Sequence, residues 1–329
     1  MRILLATYYL AKTGGMENYT YALAQELLRR GHKVEYYAEV RGETSKKFER
    51  MGVPYMQHVY YDLILANHVP VVEIVCKKGF TVQTCHGMLP ELEQPSASAH
   101  AHVVISDELK EYLASKGFEA RLIRNGVNCE RFKPITPPNS ALKKVLSLCQ
   151  SDAANNFLSR CCAKAGVEFC ALNKFTDNVW DVEKYINDAD LVVGIGRSAY
   201  DSMACGRCVI SYDNRSNNDL GVGDGYLTKD NILRSIRHNC IGRGTGKSFT
   251  EDDFVKELQK YDPADGAFLR QFAEQNFNIV RSVDQYLSFA GSSSDRFIRK
   301  FNFWRRRIAA IIHARIHNAL HKHTKIIIE

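Results

Sequence analysis

The sequence predicts an α/β protein built as two Rossmann-like αβα domains facing each other across a cleft, followed by a basic amphipathic helix. Three observations predict it. Short β-rich runs alternate with helix-period segments in two stretches, the pattern of parallel strands covered by helices. A polar loop rich in proline, RFKPITPPNSALKK at 131–144, separates the two stretches. The charge excess is confined to one end: of 44 Lys/Arg and 37 Asp/Glu, nine basic and two acidic residues lie in 295–329, so residues 1–294 carry 35 of each. The expected divisions are 1–134, 135–291 and 292–329, with the last helices of the second domain free to pack back on the first. A chain of 329 residues is long enough for two cores.

In the first stretch, 3–6 reads as a strand, followed by the pair Gly14 and Gly15. Met16, Tyr19, Leu23 and Leu27 then recur at three- and four-residue steps, an amphipathic helix ended by Gly31. Strands follow at 34–38, 63–66, 81–84 and 103–105. Ser106 reads as an N-cap, because SDELKEYLASKG has acids in its first turn and glycine at its end. Beyond the linker, strands are expected at 145–148, 167–171, 191–193 and 208–211, with a helix at 153–165. From about 229 onward the patterns are mainly helical, and 291–294 is a short break before the tail.

Composition and motifs exclude several classes. The hydrophobic content of 45% and charged content of 25% fit a soluble globular protein. No apolar run reaches the roughly 18 residues of a membrane span. The N-terminus reads as a core strand rather than a secretory leader. The ten cysteines lack C-x-x-C and zinc-like spacing and read as reduced thiols of a cytoplasmic protein. IGRGTGKSFT at 241–250 resembles a phosphate loop, but Ile241 stands where its first glycine belongs. Asp188-Ala189-Asp190 fits a D-x-D metal pattern, yet it precedes an apolar strand and reads as a helix-to-strand turn.

Three places carry candidate chemistry. Gly14 and Gly15 follow a strand and open a helix, where backbone N–H groups can approach an anion; glycine needed only for turn geometry reads the same way. Gly194, Gly196 and Arg197 repeat the arrangement with a guanidinium suited to phosphate oxygens. Asp201 lies one turn on, where a carboxylate accepts bonds from ribose hydroxyls. The plainer alternative is a solvated i,i+4 ion pair. His86 ends a strand at the sheet edge where α/β proteins bind ligands, although a lone histidine is more often structural.

These residues carry a resemblance. GGMENYTYALAQELLRRGHKV, VVISDELKEYLASKGFEARLIRNGVNCERFKP and DADLVVGIGRSAYDSMACGRCVIS, in this order, are similar to stretches of the family-4 glycosyltransferases of the GT-B fold. The likeness covers roughly residues 1–290. It implies a retaining transfer from a uridine or guanosine diphosphate sugar, with no metal and with the donor mainly on the second domain. It further implies that Gly15 approaches the diphosphate or acceptor and that His86 lies beside the transferred sugar. Asp201 would hold the donor ribose, while Ser198 opens the helix at the diphosphate, where Ser202, Met203 and Ala204 would offer main-chain contacts. Two positions depart from the family pattern. Val193 stands where its first donor-site acid belongs, and LSLCQSDAANN lacks its Arg and Lys, so Arg197 is expected to supply that charge.

On a helical wheel the tail gathers Phe297, Phe301, Trp304, Ile308, Ile311 and Ile312 on one side, with Arg299, Arg306 and Arg307 on the other. This suits an anionic membrane surface at the cytoplasmic face. Packing of the same stripe on the body or a second subunit is the alternative. A neutral body argues against nucleic acid. The expected acceptor is therefore a lipid-linked or other glycan, in cell-surface polysaccharide or glycolipid assembly. A weakened enzyme that only binds sugar nucleotide, or supports a partner enzyme, is the second expectation.

Overall fold

The computed structural model describes residues 1–177, 179–214, 221–292, 294–305, 307, 308 and 312. The first sheet is built from β1 (Arg2–Leu10), β2 (Lys33–Arg41), β3 (Tyr61–Ala66), β4 (Gly79–Cys85), β5 (Ala101–Val104) and β6 (Ala120–Leu122). Its order is β2-β1-β3-β4-β5-β6, parallel throughout. Helices α1 (Gly15–Arg29), α2 (Glu43–Arg50), α3 (Val69–Val75) and α4 (Asp107–Ser115) connect these strands. Ser106 caps α4 as expected, its hydroxyl accepting from the Leu109 N–H at 3.2 Å. The segment VPVVEIV has a strand's composition but forms α3, because Pro70 suits its first turn and Val71, Val72 and Val75 bury one side.

The second sheet holds β7 (Lys144–Ser147), β8 (Glu168–Ala171), β9 (Leu191–Val193), β10 (Cys208–Asp213), β11 (Val222–Tyr226) and β12 (Lys247–Ser248). The order is β12-β11-β10-β9-β7-β8; the four strands from β8 to β10 run parallel, and β11 and β12 add an antiparallel edge. Helices α5 (Asp152–Ala165), α6 (Val182–Asp188), α7 (Arg197–Ala204) and α8 (Ile232–Arg237) belong to this half. The chain continues through α9 (Glu251–Leu258), α10 (Pro263–Asn276) and α11 (Ile279–Ser288). The antiparallel edge departs from the sequence reading, since the two glycines of VGDGY weaken any strand signal.

After α10 the chain crosses back to the first sheet. Ile279, Val283 and Tyr286 of α11 are buried with Ile3, Leu5 and Leu23 in one apolar cluster. Each such side chain stabilises the fold by roughly 1.5–3 kcal/mol. The crossing is held by main-chain bonds from Val127 N–H to Phe277 O (2.6 Å) and from Ile279 N–H to Val127 O (2.9 Å). The proline-rich linker is not loose. Asp190 accepts from the N–H groups of Asn139, Lys143 and Lys144, which makes 188–190 the turn read from sequence. Arg207, fully buried, donates to the carbonyls of Thr136, Ile186 and Asn187.

All ten cysteines are free thiols. No helix of the described residues is long and apolar enough to cross a membrane. The tail begins with a reciprocal cap between Ser292 and Asp295, and residues 294–305 are helical. Phe303 rests on the Tyr60 ring at 4.9 Å, so one side of this helix is anchored to the first domain. Arg299 turns to the body rather than outward, with its guanidinium 4.1 Å over the Phe80 ring. A flat, weakly hydrated guanidinium stacks readily on an aromatic face, which corrects its assignment to the outer side. Phe297, Phe301, Trp304 and Ile308 are exposed. Arg306 and Ile311 lie outside the described residues.

Candidate functional site

Three helix N-termini converge on one cavity of about 580 Å³ between the domains. Gly14, Gly15 and Met16 bring α1 from the first domain. Gln150 and Ser151 bring α5, and Gly196, Arg197 and Ser198 bring α7, from the second. The first N–H groups of a helix have no carbonyl four residues back, and its dipole adds about half a positive charge there. Three such ends around one space favour an anion. The strand order explains why they meet. β1 and β7 each have neighbours on both sides whose connections leave in opposite directions, and crevices open at such switch points.

Glycine is required at some of these turns. Gly196 has φ +52° and ψ −121°, a conformation that L side chains rarely adopt. A Cβ on Gly15 would lie 3.5 Å from the Cβ of Arg197, so the domains touch there. Gly194 does not line the cavity. Its N–H donates to Ile210 O at 3.1 Å, and a Cβ would come within 2.9 Å of that of Ser198.

Arg197 and Asp201 both line the cavity, but their pair is buried rather than solvated. Arg197 Nε donates to Asp201 Oδ1 at 2.7 Å, and Nη1 to the Gly126 carbonyl at 2.7 Å. The guanidinium therefore ties α7 to the segment that leaves the first domain. Burial pushes the Asp201 carboxyl up, and Arg197 opposes the rise. Ser202, Met203 and Ala204 do not reach the cavity. They are buried in the second-domain core, and the Ser202 hydroxyl donates to Ser198 O at 2.7 Å. Past the first turn of α7, their N–H groups serve the helix itself, which corrects the expectation of main-chain contacts.

Val193 lies in β9, fully buried among Val145, Leu191 and Ile210. A carboxylate at that point would face apolar side chains, not the cleft. The loop after β7 brings no cation; Lys174, from the loop after β8, and Arg243, from the 241–246 stretch, line the cavity instead. Arg243 forms a two-pronged pair with Glu108 of α4 (2.9 and 2.8 Å), which spans the domains. On another side Trp180 packs edge-on to Tyr21 at 4.9 Å.

His86 lines the cavity at the end of β4 and has an assignable tautomer. The Thr20 hydroxyl donates to Met16 O (2.9 Å) and so accepts from Asn67 Nδ2 (3.2 Å). Asn67 Oδ1 then accepts from His86 Nε2–H at 3.2 Å, leaving Nδ1 as a hydrogen-bond acceptor. Burial, reinforced by nearby His68, lowers the His86 pKa to about 3, so the ring is neutral at physiological pH. Lys174, Glu17, Asn18 and Asn125 escaped the sequence reading. Only the NGV motif containing Asn125 and the first turn of α1 offered a signal.

Two facing α/β domains with helix N-termini meeting in the cleft define a GT-B fold. No protein-family model matches the chain, and no curated protein matches it in sequence. Among solved structures it is similar to Anabaena Alr3699/HepE in complex with UDP and glucose (TM-score 0.60, 14% identity, 88% of this chain and 98% of that one). The same protein in complex with UDP-glucose gives a TM-score of 0.56 at 15% identity, with the same coverage. An alpha-glucosyltransferase in complex with UDP gives 0.50 at 8% identity, covering 89% of this chain and 100% of that one. At these identities the likeness establishes the shared two-domain fold.

Proposed function

We propose that this chain is a glycosyltransferase that moves a sugar, a hexose by resemblance, from a nucleoside diphosphate to an acceptor hydroxyl. The observation that carries the reading is the meeting of the α5 and α7 N-termini with Arg197 and Lys174 in one interdomain cavity. A diphosphate is the ligand such a site suits, and the UDP complexes of Alr3699/HepE favour uridine over guanosine. In this reading α5 and α7 hold the diphosphate, and His86 Nδ1 accepts from a hydroxyl of the sugar. Transfer proceeds with retention, as in the family-4 enzymes. The bond from the anomeric carbon to the phosphate oxygen breaks, the bond to the acceptor oxygen forms on the same face, and the acceptor proton passes to the departing phosphate. No side-chain nucleophile or metal takes part. Helix N–H groups and the two cations meet the charge that develops on the diphosphate. Closed domains keep water from the donor.

The exposed Phe297, Phe301, Trp304 and Ile308, with Lys300, Arg305 and Arg307 alongside, support work at an anionic membrane surface on the cytoplasmic face. That suits a lipid-linked or glycan acceptor. The second reading, a sugar-nucleotide-binding module that supports a partner enzyme, is favoured by Val193, which leaves the donor sugar without the family's first acid. Thermal-shift and donor-hydrolysis assays across UDP- and GDP-sugars separate the two. Stabilisation with hydrolysis, or with transfer to membrane extract, is expected. Binding without turnover supports the module, and no stabilisation by any nucleotide sinks both.

A further inference from the structure

Arg243 stands in the glycine-rich stretch 241–246 and lines the cavity with Asn239 and Ile241. The chain reaches it through two residues in the left-handed region that are not glycine, Asn239 (φ +56°) and Cys240 (φ +51°). L side chains are strained there, and such residues persist only where their surroundings impose them. Tyr200 of α7 donates its hydroxyl to Asn239 Oδ1 at 3.0 Å, and the Ser211 hydroxyl donates to Cys240 O at 2.9 Å. Asn239 also lies against the entry to α7, since a Cβ on Gly196 would come within 3.1 Å of Asn239 Nδ2. The strained turn therefore fixes the approach to Arg243 beside a helix end that favours an anion.

Arg243 has a second partner on the other domain. Its guanidinium makes the two-pronged pair with Glu108 of α4 while its side chain stays 38% exposed. Loss of this pair would strand neither side. Glu108 would keep the positive end of α4, in whose first turn it lies, and His238, whose Nδ1 is 3.3 Å away. The domains would keep the Arg237–Glu111 pair and the bond from Arg124 Nη1 to Ile236 O at 3.0 Å. The backbone around Arg243 is pinned as well. Thr245 N–H donates to Asp224 Oδ1 (2.9 Å) and the Thr245 hydroxyl to Gly223 O (2.7 Å), while a Cβ on Gly242 would meet Val222 O at 2.7 Å. The side chain is the part left free to move.

We propose that Arg243 is an exchangeable cation of the nucleotide site: Glu108 holds it across the empty cleft, and the diphosphate takes it when nucleotide binds. A diphosphate carries more negative charge than one carboxylate and offers its oxygens to the same planar fork, so the exchange favours the ligand. As the spent nucleotide leaves, Glu108 recaptures Arg243. The carboxylate thus weakens nucleotide binding and eases release. The inference rests on the glycosyltransferase reading, and it supplies a cation that the loop after β7 lacks.

The test is calorimetry of the full chain with UDP or GDP, whichever raises its melting temperature. Arg243→Gln is expected to weaken binding about fivefold or more, since a charge-assisted phosphate contact outweighs a half-exposed ion pair. Glu108→Gln removes the competitor and is expected to tighten binding about two- to fivefold, the worth of that pair. In an R243Q background, E108Q should change nothing. Arg237→Gln breaks the neighbouring interdomain pair without touching the cavity, and should leave affinity within about twofold of the parent. Where E108Q melts early, the contrast between R243Q and R237Q decides alone. The exchange is overturned by unchanged binding in R243Q, by R237Q weakening binding as much as R243Q, or by no gain in an E108Q protein that melts like the parent. The same gain from E108Q in the absence of Arg243 also overturns it. A chain that binds neither nucleotide overturns the transferase reading and this inference with it.

Discussion

Arg197 does two jobs that a single substitution separates by size. Its guanidinium is buried against Asp201 and the Gly126 carbonyl, and it also lines the anion-receptive cavity. Removing one member of a buried pair strands the other. R197A is therefore expected to cost about 3–5 kcal/mol in urea unfolding. In the cold, where the variant remains folded, UDP affinity by calorimetry should fall at least about tenfold. Unchanged affinity would reduce Arg197 to a structural tie. His86 and His68 make a pH prediction. Their folded pKa values, about 3 and about 4, lie below the usual histidine value near 6.5. As pH falls below about 6.5 the unfolded chain takes up protons that the fold refuses, so stability drops until the folded values are reached. His86→Gln removes one of these protons, and its urea midpoint should fall less between pH 7 and pH 5 than the parent's. Equal losses would show that His86 is not held neutral.

Among the elements, α11 has the most exacting neighbour. A Cβ on Gly126 would meet Ile279 Cδ1 at 2.6 Å, Ser282 Oγ at 2.7 Å and Ile279 Cα at 2.9 Å. Side chains can turn aside, but the helix backbone cannot. G126A should thus destabilise by about 1–3 kcal/mol in denaturant unfolding, and a neutral result would mean that α11 shifts freely. Gly126 belongs to the NGV motif, so what read as a family signature is also a contact between the crossing segment and α11. The same scale shows why some elements escaped the sequence reading. α3 has four valines and an isoleucine among its seven residues, and its helix depends on burial against the sheet. β11 contains two glycines and exists because it pairs with β10.

For the whole molecule, the proposed role of the tail is to set where a neutral body works. Residues 1–294 balance their charges, and the described part of the tail is anchored by Arg299 and Phe303 while its aromatic side stays exposed. Full-length protein should co-sediment with vesicles containing anionic lipid and be released by salt, since exposed charge is screened over about 10 Å at 0.1 M. A 1–294 truncation should lose that binding while keeping its UDP affinity. Equal sedimentation of the two would remove the membrane from the account.

The sequence by itself determined the two αβα layers, most parallel strands, the glycines at helix entries and the place of His86, because periodicity and capping are local. It also located the charge excess. Tertiary structure decided which residues meet in the cavity. Lys174 and Asn125 come from separate loops and Glu17 from the first turn of α1, and their convergence depends on strand order, while Ser202, Met203 and Ala204 lie past the first turn of α7, a helix buried on nearly every side. It decided that Arg197 and Asp201 form a buried pair, since burial depends on how the crossing segment packs over α7. It also turned Arg299 inward, because the Phe80 ring that receives it lies on a distant part of the chain.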